Sequence, residues 1–310
     1  MTVQQQHARV RLGSGRQLDL LDPDPAAWTD EDLATGLSRT YRWGGHSRWE
    51  LPLSVAQHSL LVLAIREQAA RRTLAPAHAL RELLHDADEA LIGGFDCPAP
   101  LKPHLGEPYA RLVQGLRAAV AARYGLPAWS AEDHALHKRA DRTAAASEAV
   151  HVAGYSREEV QRELRLDDVA PLEDDPLQRG CHFLPKGLRA WEPWPPALAA
   201  RLFLGRLEEL DELAGREAKI RALAVAFACL PAPLRERCGQ PVTGSPLLDT
   251  LVSVEAPDGS GGFEGVVVAG EREADGTWAL DTEFTVFTTD VAPWGELLLV
   301  RGHSCEIEVL

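Results

Sequence analysis

A mainly α-helical chain that ends in a small antiparallel β-rich module is the fold this 310-residue sequence predicts. Three observations carry the expectation. Segments with apolar residues at helical spacing follow one another as far as about residue 230, and no strand alternates with them as a parallel sheet would require. Beyond a stretch punctuated by Pro and Gly, the composition turns β-branched and aromatic, with turn sequences such as PDGSGG and EADG between the runs. The expected division is therefore a helical domain over 1–230, a linker over 231–246 and a β-rich module over 247–310.

In order, Ala8–Leu20 reads as a short extended element, and LDPDPAAW as a turn. Thr29, followed by Asp30, Glu31 and Asp32, caps the start of a first helix, because a side-chain acceptor and first-turn acids suit the exposed N–H groups there. That helix directs Leu33, Leu37 and Tyr41 to a core, delivers Arg42 and Trp43 at its end, and stops at Gly44-Gly45. The loop HSRWELP is a surface connection or a pocket rim. A second helix begins at Ser54 and turns His58 inward with Val55 and Ile65. A third starts after Pro76 and runs through His85 and Asp86 with Leu80, Leu83, Leu84 and Ala87 buried, until GGFDCPAP breaks it. A fourth covers about Glu107–Tyr124. The fifth opens at Ser130 with a variant capping box and runs to about Val152, placing His134, His137 and Asp141 on one face. Asp167–Pro176 is an acidic loop, and two further helices are expected over about 196–213 and 216–230. LLDTLVSVEAP, GFEGVVVAG, WALDTEFTVFT and GELLLVRG read as strands, which suggest an interaction or oligomerisation surface and leave a homo-oligomer open.

With 45% hydrophobic residues the chain can bury a substantial core, and its net charge of −14 argues against nucleic-acid polymers or anionic membranes as partners. A small anionic substrate stays compatible, since a few local arginines or a metal hold one phosphate whatever the global charge. The start lacks the apolar core of a signal peptide and no apolar run has membrane length, so a cytoplasmic protein is expected. Five scattered cysteines without a CxxC suggest mostly buried free thiols.

His85 and Asp86 draw attention because neighbouring side chains on a helix diverge by about 100° and share a target only when something sits between them. A metal ion is the simplest such object. Inward-facing His58 and Asp141 complete an H…HD…D set suited to one divalent transition ion, Mn, Fe, Co, Ni or Zn. A lone inward histidine is more often a hydrogen-bonded core residue, the reading given to His134 and His137, or a solvent-facing one. For His58, His85 and Asp86 the apolar helices around them make an unpaired carboxylate costly, and spacing alone leaves both readings open.

The segments SVAQHSLLV, LLHDADEALIGGFDCPAPLK and HKRADR resemble the signature segments of the HD-domain metal-dependent phosphohydrolases. The likeness is closest to the branch of YfbR-type 5′-deoxynucleotidases and phage nucleotide hydrolases, and covers about residues 28–215. That branch carries an Arg-Trp before the first His, a Glu three residues after the HD pair and a G-D-x-P-x-P-x-K turn; here stand Arg42-Trp43, Glu89 and GGFDCPAPLK. The resemblance implies His58, His85, Asp86 and Asp141 as metal ligands. It implies Glu89 as the group that holds or deprotonates the attacking water or protonates the leaving oxygen. Asp96 would stand near the scissile phosphate, although the usual Gly-Asp is Gly93-Gly94 here and the Asp arrives two residues late. Arg42 and Trp43 would contact a small nucleotide substrate, the alternative being a helix-end cation and a core aromatic. Lys102 faces phosphate or merely follows the turn, and His46, with Arg48 and Trp49, is a further pocket candidate. The activity implied is 5′-nucleotidase hydrolysis of a deoxynucleoside monophosphate. A dNTP triphosphohydrolase and a metal-bearing, non-catalytic regulatory or binding module are the alternatives.

Overall fold

The protein is described by a computed structural model over residues 7–70, 73–94, 96–98, 100–180, 187–230, 250–255, 261–270, 274, 283–290, 296–301 and 306–309. Its contacts divide the chain into two compact units, Met1–Asp211 and Glu212–Leu310.

The first unit opens on an antiparallel hairpin, β1 (Arg9–Arg11) and β2 (Gln17–Asp19). Helix α1 (Asp30–Arg39) starts where the sequence places it: Thr29 accepts from the Asp32 amide while Asp32 accepts from the Thr29 amide, a reciprocal capping box. Leu33 and Leu37 are buried as expected, and Tyr41 is half-buried. The chain turns sharply through Arg42–Gly45, with Trp43 in the left-handed region at φ 58°. A β-bridge between Tyr41 and Ser54 then brings Ser54 to cap α2 (Val55–Ala69). Helix α2 is covered on nearly every side by α1, α3, α6 and α8, which is why it carries apolar residues around its whole circumference.

The third helix departs from expectation. It ends at Leu83, and a turn through Leu84, His85 and Asp86 separates α3 (Pro76–Leu83) from the short α4 (Ala87–Leu91). The break lets two sequence neighbours face one point, which continuous helix geometry would forbid. Helices α5 (Gly106–Arg123) and α6 (Ala131–Glu148) follow, the latter capped by Ser130 and ending in a single π-turn over Ala149–Ala153. The short helices α7 (Arg157–Arg162) and α8 (Pro176–Gly180) were not expected from periodicity, being too brief to display it.

Helix α9 is continuous from Pro196 to Ala228, where two helices were expected. Gly215 does not interrupt it, since an interior glycine costs only about 1 kcal/mol relative to alanine. The division between units falls within this helix, so its second half groups with the β strands instead of with the domain ending at 230. The expected linker over 231–246 lies outside the described residues. In the second unit β3 (Leu251–Glu255), β4 (Gly262–Ala269), β5 (Glu283–Thr288), β6 (Glu296–Arg301) and β7 (Glu306–Val309) form one antiparallel sheet in the order β6-β5-β4-β3-β7. Strand β7 was not among the expected ones. Val252, Val254, Val267, Phe284 and Val286 cluster on one face, while Leu251, Val266 and Phe287 pack against Leu223 of α9.

Thus the fold class read from the sequence, mainly helical with a small antiparallel β module, holds. Cys97 is a buried free thiol, Cys229 is an exposed one, and Cys181, Cys238, His303 and Cys305 lie outside the described residues. Among the described residues no helix is long and apolar enough to cross a membrane.

Candidate metal centre

Three structural pieces converge: α2 contributes His58, the turn between α3 and α4 contributes His85 and Asp86, and α6 contributes Asp141. His58 Nε2 lies 3.6 Å from Asp86 Oδ2 and 3.5 Å from Asp141 Oδ1, while His85 Nε2 lies 3.1 Å from Asp86 Oδ2. Ligand atoms of His58, His85 and Asp141 all fall within 4.8 Å of one another, so these three form a group that can hold a metal ion.

The state of each imidazole is set from behind. His58 Nδ1 is 2.6 Å from Glu148 Oε1, and His85 Nδ1 is 2.8 Å from the Glu82 carbonyl oxygen. Both partners accept hydrogen bonds, so each Nδ1 donates and each Nε2 is left to face the carboxylates. Those two Nε2 atoms are buried and have no hydrogen-bond partner. A neutral imidazole lone pair aimed at a carboxylate is repelled unless a cation lies between them, an arrangement that a metal ion held by His58, His85 and Asp141 would relieve.

Charge on the cluster follows the same logic. Burial and the Arg42 cation oppose charging of His58, but the Glu148 and Asp141 carboxylates outweigh them and lift its pKa to about 9. Burial would raise Asp86, yet His85, His58 and Arg42 hold it well below the usual carboxylate range. Asp141 is likewise depressed, against burial, by its contact with His58 and the charge of His85.

Around the candidate ligands lie the other residues singled out in the sequence. Arg42 donates from Nε to Glu148 Oε2 at 2.9 Å, and its Nη1 stands 4.0 Å from Asp86 Oδ2. Burial works against its charge, but Glu148, Asp96, Asp86 and Asp141 together hold its pKa above the ordinary arginine value. Trp43 Nε1 donates to the same Glu148 Oε2 at 3.3 Å. Glu89 is only 3% exposed, and its Oε2 has no hydrogen-bond partner. Burial, then the charges of Asp86 and Asp96, push its pKa up to about 9, against Arg42 and Lys102. Lys102 Nζ lies 3.7 Å from Glu89 Oε1. Asp96 is half-buried and close enough for its charge to act on Arg42 and Glu89, despite its late position in the turn. His46 is exposed and its ring joins no hydrogen bond or ion pair with the cluster.

Three residues that the sequence reading passed over complete the surroundings. Glu148 is buried and accepts from His58, Arg42 and Trp43. Glu82 supplies the carbonyl behind His85 and, through its carboxylate, joins Arg66 Nε at 2.8 Å to His137 Nδ1 at 2.7 Å. His137 is thereby the hydrogen-bonded core histidine expected of it, and His134 is exposed. Asp88, also buried, is held by Arg117 Nε at 2.9 Å and ties α4 to α5. Glu148 did leave a signal: it follows Asp141 by seven residues, two helical turns on, in an alanine-rich buried helix where a lone carboxylate would be costly.

No known family profile matches the chain. Over 153 residues it is 41% identical to an uncharacterized protein of Rhodobacter capsulatus, an alignment that covers 49% of this chain and 76% of that relative.

Proposed function

This chain and the Rhodobacter capsulatus protein belong to one family, and we propose that the chain is a metal-dependent phosphohydrolase of the HD-domain type. Its substrate on this reading is a nucleoside monophosphate, deoxynucleotides first, cleaved to nucleoside and inorganic phosphate. The observation that carries the proposal is the pair of buried, unpartnered Nε2 atoms of His58 and His85 facing Asp86 and Asp141 beside a buried, unpartnered Glu89 oxygen.

His58, His85, Asp86 and Asp141 would hold the ion. When bound, such an ion polarises a phosphoryl group and acidifies water. The chain's own residues supply the rest. Arg42, fixed by Glu148 and reaching to 4.0 Å of Asp86, offers a charge-assisted contact to phosphate oxygens at the edge of the cluster. Trp43 beside it packs against sugar or base. Glu89, its pKa pushed up to about 9, can carry a proton at neutral pH and pass it to the leaving nucleoside oxygen, or take one from the attacking water. Lys102 neutralises Glu89 after it has given up its proton. Asp96, whose charge acts on both Arg42 and Glu89, borders the leaving group. No nucleophilic side chain is required, so hydrolysis proceeds without a covalent intermediate.

The test is a screen of nucleoside mono-, di- and triphosphates with Mn, Co, Fe, Ni and Zn, the products identified by chromatography. Nucleoside and phosphate from dNMPs are expected; release of intact triphosphate from dNTPs would move the cleavage position. Binding of metal without turnover of any nucleotide would leave a metal-bearing binding module and overturn the proposal. Within it, His85→Ala and Asp86→Ala should strip the ion and abolish turnover. Glu89→Ala should retain the ion and lose about 10²–10⁴-fold in rate, the usual span for a general acid or base. Full activity of Asp86→Ala, with metal content verified by elemental analysis, would sink the mechanism.

A further inference from the structure

We infer that Glu148 is the positioning residue that couples the metal-binding face of this site to its substrate-binding edge; the inference rests on the metal reading above. Three donors converge on its carboxylate. His58 Nδ1 meets Oε1 at 2.6 Å, while Arg42 Nε and Trp43 Nε1 meet Oε2 at 2.9 and 3.3 Å. Its side chain is 1% exposed, and a carboxylate is almost never so deeply buried without such partners. Helix α6 carries it two turns beyond Asp141, so one helix presents both a candidate ligand and the group that orients another.

Each bond has a separate consequence. The contact to His58 puts the proton on Nδ1 and leaves Nε2 free for an ion. The contact to Arg42 aims its guanidinium at the Asp86 edge of the cluster. Trp43 sits at φ 58°, a backbone conformation that a bulky residue rarely adopts, and its indole bond to Glu148 is part of what holds it there. Movement of this one carboxylate therefore disturbs both faces together.

Donor and acceptor counting makes the role specific to a carboxylate. A glutamine of the same size has one acceptor oxygen and one NH₂ donor, whereas the site presents donors on both sides. If the amide oxygen stays with Arg42 and Trp43, the amide NH₂ faces His58 Nδ1. The imidazole must then accept there and carry its proton on Nε2, where the ion would bind. The charged Arg42 donor favours this orientation.

Glu148→Gln should therefore fold, with its thermal midpoint recorded beside the wild type, yet lose about 10–100-fold in affinity for Mn or Zn by calorimetric titration, the range typical of groups that orient metal-bound histidines. A merely structural role would lower the midpoint and leave the affinity of the folded protein alone. Folded Glu148→Gln that binds the ion within about threefold of the wild type, well short of that range, overturns the inference. Should the variant not fold, histidine-labelled wild-type protein loaded with zinc decides by NMR. A slowly exchanging His58 Nδ1 proton is expected, and a His58 protonated on Nε2 would refute the assignment. Failure of the wild type to bind any divalent ion is a different result, seen before a variant is made, and would remove the metal reading itself.

Discussion

Glu89 carries a second consequence at the level of a single side chain. Its pKa is raised from the ordinary 4.5 to about 9, first by burial and then by Asp86 and Asp96. An acid that holds its proton more tightly folded than unfolded makes the unfolded chain release protons first, so stability is lost as pH rises through the interval between the two values. His58, raised from 6.5 to about 9, acts in the same direction, since its stabilising charge is present below the lower value and lost as pH passes the upper one. The metal-free protein should therefore lose stability from pH 7 to 9, Glu89 contributing at most about 1.4 kcal/mol per pH unit. Glu89→Gln places a neutral group in the same space and removes that share. Urea midpoints in the presence of a chelator should fall less steeply with pH for the variant, and an unchanged slope would mean that Glu89 is ionised in the folded protein throughout this range.

At the level of elements, α1 and α4 meet at an approach that only glycine permits. A Cβ added at Gly36 would stand 2.9 Å from the Ala90 Cβ, inside the closest ordinary contact. Helix propensity alone would make Gly36→Ala a gain of about 1 kcal/mol. Overpacking opposes it with about 1–3 kcal/mol, and Ala90 is rigid and adjacent to Glu89. A net loss of stability in urea is expected, and on the proposed function a fall in kcat with it; a gain in stability would show that the two helices can part without cost. The same contrast between local and distant causes explains what the sequence reveals. Thr29, Ser54 and Ser130 mark helix starts because the groups that they cap lie within three residues. The candidate ligands His58, His85, Asp86 and Asp141 are legible because charged or imidazole side chains in apolar segments need a reason. The break at His85-Asp86 is not legible, because it answers a demand of the assembled site. Local periodicity continues through it. Glu148 escapes for a related reason: its partners are 90 to 106 residues away along the chain, and only the fold brings them together.

For the molecule as a whole, the core of the second unit offers a direct test of what that unit contributes. Phe287 is fully buried, its ring 5.5 Å from that of Phe227 on α9, in a cluster with Leu223, Leu251 and Val266. All these residues belong to the unit beginning at Glu212, whereas His58, His85, Asp86 and Asp141 belong to the unit ending at Asp211. Truncating a buried phenylalanine to alanine removes its transfer free energy and leaves a cavity, together about 3–5 kcal/mol. If each unit is held by its own core, Phe287→Ala should lower one thermal transition in calorimetry and leave a second in place, because separate cores need not melt as one cooperative body. Ion affinity, which the proposed metal centre assigns to residues of the first unit, should not move. On the proposed function, turnover of the nucleotide is the informative readout. Unchanged kcat and KM would assign the β-rich unit to a task outside hydrolysis, whereas a raised KM with unchanged ion affinity would mean that this unit takes part in holding the substrate.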